Sequence, residues 1–555
     1  MSSTSSSLSE KAATKATVSN GHIHSFVGCK GEKLNFAVAV LAGVGFLLFG
    51  YDQGVMGSLL TLKSFTETFP EMDTGGNSAL QGAVIALYEI GCMASALSTM
   101  YFGDKYGRLK LIFIGSIIML IGGALQACAY NITHLTIARI VTGLGNGFIT
   151  ATVPIWQAEV AKPKMRGKLI MLQGSLIALG ITISYWVDFA FYFLDVEGAS
   201  YRNVSWRFPI AFQCVFPIII IPLVLKFPES PRWLLRKSRE EEARIVFSAL
   251  YDAPVDDHLV NASVDEIKQS IAIEEKEGAD KFNMRSLLFQ GDTKNFQRTM
   301  LAAWSQIMQQ ITGINLITYY AGTIFERYIG MSPFNSRILA ACNGTEYFLA
   351  SLLAFWTIER FGRRNLMMVG AAGQAVCMAI LTGTTWAADP EHNDSQAAGI
   401  IAALCLYLFN TFFGFSWLGI AWLIPPEILP LGIRAPATGI STACNWGFNF
   451  MVVMITPVAF NNIGSYTYTI FAVINLLMVP VVYFLYPETA GRSLEEMDII
   501  FSQTPTNKPW KSVAIAHTLP FMHAGADDNR DIEAKRHGDV EHVEMVGDEA
   551  LTTKE

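Results

Sequence analysis

DKYGR, residues 104–108, returns as ERFGR at 359–363, each directly after one long apolar run and directly before another. The neighbourhood of the motif returns with it. AEVAKPKMRG (158–167) is echoed by PEILPLGIRA (426–435), and PES (228–230) by PET (487–489). Offsets of 255, 268 and 259 residues mark one unit used twice. A helix that crosses a bilayer needs about 20 mostly apolar residues. Twelve such runs are centred near Gly45, Gly91, Leu120, Gly145, Ala178, Pro217, Gln310, Phe348, Gln374, Phe409, Gly447 and Asn475. The repeat divides them six and six. The fold class that follows is an all-α polytopic membrane protein of 12 transmembrane helices in two six-helix halves.

Composition agrees. The 555 residues are 51% hydrophobic and only 16% charged, with mean hydropathy +0.34, against about 25% charged in soluble domains. The short alternating segments of a membrane β-barrel are absent from the sequence. Eight cysteines are scattered singly without a CxxC pair and read as small apolar packing residues. The nine histidines fall in tails or connections, which argues against a metal site in the spans. A formal charge of −7 gives no reason to invoke nucleic acid. The first apolar run, from about Asn35, is too long for a removable signal peptide and lacks its cleavage site. No nucleophile–base set or phosphate loop suggests an enzyme.

Basic residues set the orientation. GDKYGRLK, AKPKMRGK, SPRWLLRKSR and ERFGRR lie in one set of connections, whereas AYNITH, ADPEHNDSQ and NNIGSY in the other carry almost no Lys or Arg. The positive-inside rule places the first set and both termini in the cytoplasm. Of five N-x-S/T sequons, Asn131, Asn203 and Asn393 then face outward as glycosylation candidates, and Asn261 and Asn343 do not. The expected organisation is a disordered cytoplasmic tail 1–34, a six-helix half 35–227 and a charged helical linker 228–298. A second half 299–490 and a largely disordered cytoplasmic tail 491–555 follow. Parallel repeats of this kind suggest a transporter with its site between the halves near the midplane.

Seven motifs in order resemble the sugar porter family of the major facilitator superfamily: GYDQG, GDKYGR, PIWQAEVAKPKMRG, PESPRWL, QQITGIN followed by YY, ERFGRR and PETAGRSLEE. The similarity spans roughly residues 35–500. SYWVDF and YEIGC look closest to the fungal sugar-transporter-like branch, which includes glycerol/proton symporters.

A sugar needs amides, which donate and accept, beside an aromatic plate. The resemblance implies that Gln309, Gln310 and Asn315 in span 7 are the principal hydrogen-bond partners, and that Tyr319 and Tyr320 form an outer gate. It implies Trp422 as a stacking residue, Asn445 and Trp446 as a further pair, and Phe49 as a packing contact. For Gln309–Asn315 to share one site the helix must break, which Gly313 permits. The alternative is that these amides only join helices, at about 0.6 kcal/mol each. Two departures bear on substrate: Gly174 stands where the family places a glutamine, with Gln173 one step away, and Tyr347 stands for its asparagine, with Asn343 and Glu346 nearby.

Motif charges provide a second expectation. Glu159 and Arg166, like Glu427 and Arg434, lie seven residues apart. With Asp104, Arg108, Glu359 and Arg363 they are expected to pair between helix ends, and the resemblance implies a cytoplasmic gate. A solvated topology signal is the competing reading, since exposed pairs are worth about 0–1 kcal/mol each. Leu109 replaces a usual basic residue there.

Asp52 sits within an apolar span, where a charge costs at least ~2.5–3.5 kcal/mol. Arg139 is the expected partner. The resemblance implies that this acid takes the transported proton, whereas the bland reading is a permanent pair joining spans 1 and 4. Glu89 is a rival acid expected to pack. The combined expectation is proton-coupled monosaccharide import, hexose first, across the plasma membrane by alternating access, with no cofactor beyond the co-transported proton, in a lipid bilayer, as a monomer. A glycerol or polyol symporter, a facilitative carrier and a sugar sensor are the alternatives.

Overall fold

The computed structural model describes residues 25–520 apart from 73, 161–165, 277–286, 288–289, 292, 389–394, 431–432 and 493; the side chains of 74–77, 166–168, 270, 273–276, 328, 435 and 494–495 are likewise outside the description. The first six spans are α1 (Gly31–Leu59), α2 (Thr74–Tyr106), α3 (Arg108–Ala127), α4 (Ile132–Val160), α5 (Arg166–Tyr192) and a divided α6 (Val204–Phe212, Val215–Val224). The second six are α7 (Asn295–Ile311, Ile314–Thr323), α8 (Pro333–Phe361), α9 (Arg363–Ala388), α10 (Gln396–Phe415, Trp417–Ile428), α11 (Arg434–Ile463) and α12 (Thr467–Leu485).

Among the described residues nine stretches are long and apolar enough to cross a bilayer, one of them holding both α11 and α12. The exceptions are α4 and α7. Arg139, Asn146, Gln157 and Glu159 interrupt α4, and α7 is broken where Gly313 takes φ +96°. That left-handed value favours glycine, and a Cβ there would stand 3.0 Å from the Phe471 ring. The helix ends follow ordinary capping chemistry. Ser332 caps α8 by accepting from the Asn335 amide at 3.2 Å, with Pro333 at the first helical position.

Within the first half α1 packs on α5, and α4 on both α2 and α3; within the second, α9 packs on α10 and α12, and α8 on α10. Small residues permit the close approach: Gly50 meets the backbone of Ile177, and Gly143 that of Tyr88. The halves meet along α2 with α11, α5 with α8, and the second segment of α7 with α1. The cavity described below lies in this seam.

Three linker helices, Pro231–Arg236, Glu240–Tyr251 and His258–Lys276, attach to the first half, where Asn35 donates to the Leu250 carbonyl at 3.4 Å. Within the tail expected to be largely disordered, helices Leu494–Gln503 and Lys511–Thr518 dock on the second half, and residues 521–555 lie outside the description. The physical reason is an apolar face: Met497, Ile500 and Phe501 are buried, and Arg298 of α7 pairs with Asp498. Each such side chain contributes about 1.5–3 kcal/mol on burial. Truncation at residue 490 is therefore expected to lower the melting temperature by several degrees, measured by thermal unfolding in detergent.

Candidate functional site

A narrow cavity lies between the halves, lined by Phe49, Gln53, Ile177 and Ile181 from the first and by Gln309, Gln310, Asn315, Tyr347, Phe413 and Trp422 among those from the second. The break at Gly313 brings the three α7 amides to one wall, as the sequence requires. They form a chain. Gln53 donates to Asn315 at 3.0 Å, Asn315 donates to Gln310, Gln310 to Gln309 at 3.3 Å, and Asn445 to Gln309 at 2.9 Å and Gln306 at 2.6 Å. Gln309 also donates to the Trp417 and Leu418 carbonyls at 3.1 and 3.0 Å, exposed by the break in α10. Gln309 spends both donors and both acceptor lone pairs on protein partners, whereas Gln310 and Asn315 each keep one donor and one lone pair beyond the bonds named, held in place on the cavity wall.

Five of the ten residues expected to touch substrate stand behind this wall instead. Gln173 is turned away to Gln157 of α4. Trp446 packs behind Phe49, ring centroids 5.0 Å apart, and Asn445 holds Gln309 from the rear. Tyr320 donates to the Val453 carbonyl at 2.9 Å, and Tyr319 to Glu89 of α2 at 2.6 Å. Trp446 is held by ring packing, and the other four are drawn off by a buried polar group that needs a partner. Glu346 also avoids the cavity and accepts from Thr411 at 2.5 Å, while Asn410 donates to Asn343 at 2.6 Å. Gln53 was missed; its only signal was adjacency to Asp52 in GYDQG.

Asp52 and Arg139 meet at 3.5 Å with both side chains fully buried. Arg139 has other supports: it donates to the Ile85 carbonyl at 2.9 Å and lies over the Tyr88 ring at 4.7 Å. The guanidinium thus has a carbonyl and a ring as neighbours besides the carboxylate.

At one end of the molecule the repeated motifs build the same object twice. Arg108 grips both oxygens of Glu159 at 3.1 Å and Asp104 at 3.2 Å. Glu229 accepts the backbone amides of Arg108 and Leu109, both at 3.1 Å. In the second half Arg363 reaches Glu427 at 3.3 Å and Glu359 at 3.4 Å, while Glu488 accepts the amides of Arg363 and Arg364 at 2.9 and 3.1 Å. Burial pushes the Glu229 carboxyl up, and the Ser230, Leu109 and Arg108 amides pull against it. Gly107 (φ +92°) and Gly362 (φ +78°) make the turns.

The profile of the family described as "Sugar (and other) transporter" matches residues 38–501. The chain belongs to this sugar transporter family of the major facilitator superfamily. Sugar transporter STL1 of Saccharomyces cerevisiae is 41% identical over 508 residues, 89% of this chain and 86% of that protein. The MFS-type transporter oryC of Aspergillus oryzae is 37% identical, over 86% of this chain and 88% of its own. Among solved structures, the proton:xylose symporter XylE of E. coli bound to 6-bromo-6-deoxy-D-glucose superposes with TM-score 0.72 at 26% identity, covering 85% of this chain and all of that one.

In this sugar transporter the charged clusters differ from the expected gate in one respect. The contacts named above each join elements of a single half, because each cluster grips its own half's PES or PET carboxylate. Arg434 donates to the Leu429 carbonyl at 3.0 Å, and Glu427 takes Arg363 and Thr489 as partners. The Arg166 side chain lies outside the described residues. At the opposite end Arg337 of α8 donates to Thr61, beyond α1, at 2.8 Å and links the halves, which no sequence motif announced. Asn131 and Asn203 are exposed at that same end; Asn393 lies outside the described residues.

Proposed function

We propose that this transporter imports a monosaccharide, hexose first, together with a proton, by alternating access across the plasma membrane. Both termini and the twin Arg108 and Arg363 clusters face the cytoplasm, the proton is the sole co-reactant, and one chain suffices. One observation carries the reading: the buried Asp52–Arg139 pair is one residue from Gln53, the first link of the amide chain on the cavity wall. Loss of the ionic contact on protonation thereby reaches the substrate site through a single residue. The twin clusters hold each half rigid, so that the halves rock as bodies about the seam. XylE, a proton:xylose symporter by name, supports coupling of this kind.

A polyol such as glycerol is the second reading, favoured by the first half's share of the cavity. Gly174 lies so near α10 that a Cβ on it would stand 3.2 Å from Gly419 Cα; with Gln173 turned away, Gln53 is the polar side chain this half contributes among the described lining residues. Competition of labelled glucose uptake by glycerol, xylose and sucrose separates the two, and abolition of accumulation by a protonophore tests coupling. Medium alkalinisation on substrate addition distinguishes a symporter from a facilitator, and growth rescue of a strain lacking sugar uptake rejects a pure sensor.

Asn315→Ala removes the link between Gln53 and Gln310. Leaving buried hydrogen-bonding groups unpaired costs about 1–3 kcal/mol, so KM is expected to rise about tenfold or more, read from initial uptake rates. An unchanged KM would assign the amides to helix packing.

A further inference from the structure

Glu89 of α2 was expected to pack, yet it is fully buried beside the Asp52–Arg139 pair and accepts the Tyr319 hydroxyl at 2.6 Å. Tyr319 belongs to the second segment of α7, which lies on α1: a Cβ on Gly57 would stand 2.9 Å from the Thr318 carbonyl, and one on Gly322 would stand 2.8 Å from the Gly57 carbonyl. The Glu89–Tyr319 bond therefore crosses between the halves at the place where they close. The groups facing Glu89 are Arg139 of α4, Asp52 of α1, Tyr319 of α7, and Tyr88 and Cys92 of its own helix. α11, packed on α2 from the other half, brings no Asp, Glu, Lys, Arg or His between Asn445 and Pro457.

One guanidinium, 3.5 Å from Asp52, is thus the cation facing two fully buried carboxyl groups. Two ionised acids and one cation would leave an uncompensated charge in a medium where charges must be paired. We propose that Glu89 is the positioning residue that ties closure of the α7 gate to the proton on Asp52. While Asp52 is ionised and holds Arg139, Glu89 carries a proton taken from the outer solution; when that proton passes to Asp52, Arg139 is released to neutralise Glu89. The ionised Glu89 then holds the Tyr319 hydroxyl in a charge-assisted bond, stronger than a neutral one, and draws the second segment of α7 onto α1. When Asp52 gives its proton up to the inner solution, it reclaims Arg139, Glu89 takes the next proton from the outer solution, and the gate bond weakens. Tyr319 acts in this scheme through the seam, not through the substrate.

The inference rests on the proton-coupled reading, and one experiment separates their failures. Uptake by the full chain in proteoliposomes is measured from acidic to alkaline outer pH, with and without a protonophore, for the wild type, Glu89→Gln and Tyr319→Phe. Glu89→Gln retains an acceptor for the hydroxyl but has no charge to gain or lose. Its uptake is expected to become nearly independent of pH and its accumulation ratio to fall about tenfold, the size of one charge-assisted bond. Tyr319→Phe should flatten the profile likewise, and adding it to Glu89→Gln should produce little further change. A wild type indifferent to the protonophore defeats the coupled reading itself. A coupled wild type with a Glu89→Gln variant of unchanged pH profile overturns this inference alone. If Glu89→Gln does not fold, Tyr319→Phe decides, and a wild-type profile in that variant is the overturning result.

Discussion

Asp52→Asn is expected to abolish uphill accumulation while exchange of substrate across the membrane persists. The side chain is isosteric and cannot carry a proton, so the variant stays in the state that resembles protonated Asp52. Arg139 keeps its contacts to the Ile85 carbonyl and the Tyr88 ring, and Glu89 is the carboxyl that still faces it. The loss is large because the driving force is large. A proton falling through about 150 mV releases roughly 3.5 kcal/mol, and a pH difference of about two units adds roughly 2.7 kcal/mol. Together they sustain a concentration ratio on the order of 10⁴. The variant should equilibrate its substrate and stop, as radiolabelled uptake and counterflow would read. Normal accumulation by Asp52→Asn would remove Asp52 as the proton carrier.

Arg108→Ala should be the most destabilising change at the end of the molecule that holds the twin charged clusters. The guanidinium is buried and bidentate to Glu159, and its removal leaves that carboxylate without its cation. Breaking a buried pair costs about 3–5 kcal/mol, whereas removing an exposed pair of the same charges would cost about 1 kcal/mol at most. Gly107→Ala should act at the same place by a different route. Its φ of +92° strains any side chain, and a Cβ would lie 2.7 Å from a Glu229 carboxylate oxygen. Both variants are expected to melt well below the wild type in detergent. A melting temperature within about a degree of wild type for Arg108→Ala would return the cluster to a solvated topology signal.

The sequence made some of this legible because the signals are local. Apolar runs of span length, the 255-residue echo of DKYGR in ERFGR and the glycine between Thr312 and Ile314 each act within a few turns of chain. The docking of residues 494–518 was missed because charges such as Asp498 read as solvated until Arg298, from another helix, is placed beside them.

The chain by itself determined the membrane class, the two six-helix units, the break in α7 and the candidacy of Asp52 and Arg139, since hydropathy, repetition and a lone buried charge are properties of single segments. Only the tertiary structure decided which amides face the cavity, that Gln173 turns to Gln157, that each charged cluster grips its own half, and that Tyr319 reaches Glu89. Those outcomes depend on which buried polar group finds a partner first across a helix seam, and spacing along one chain does not encode the distance to another.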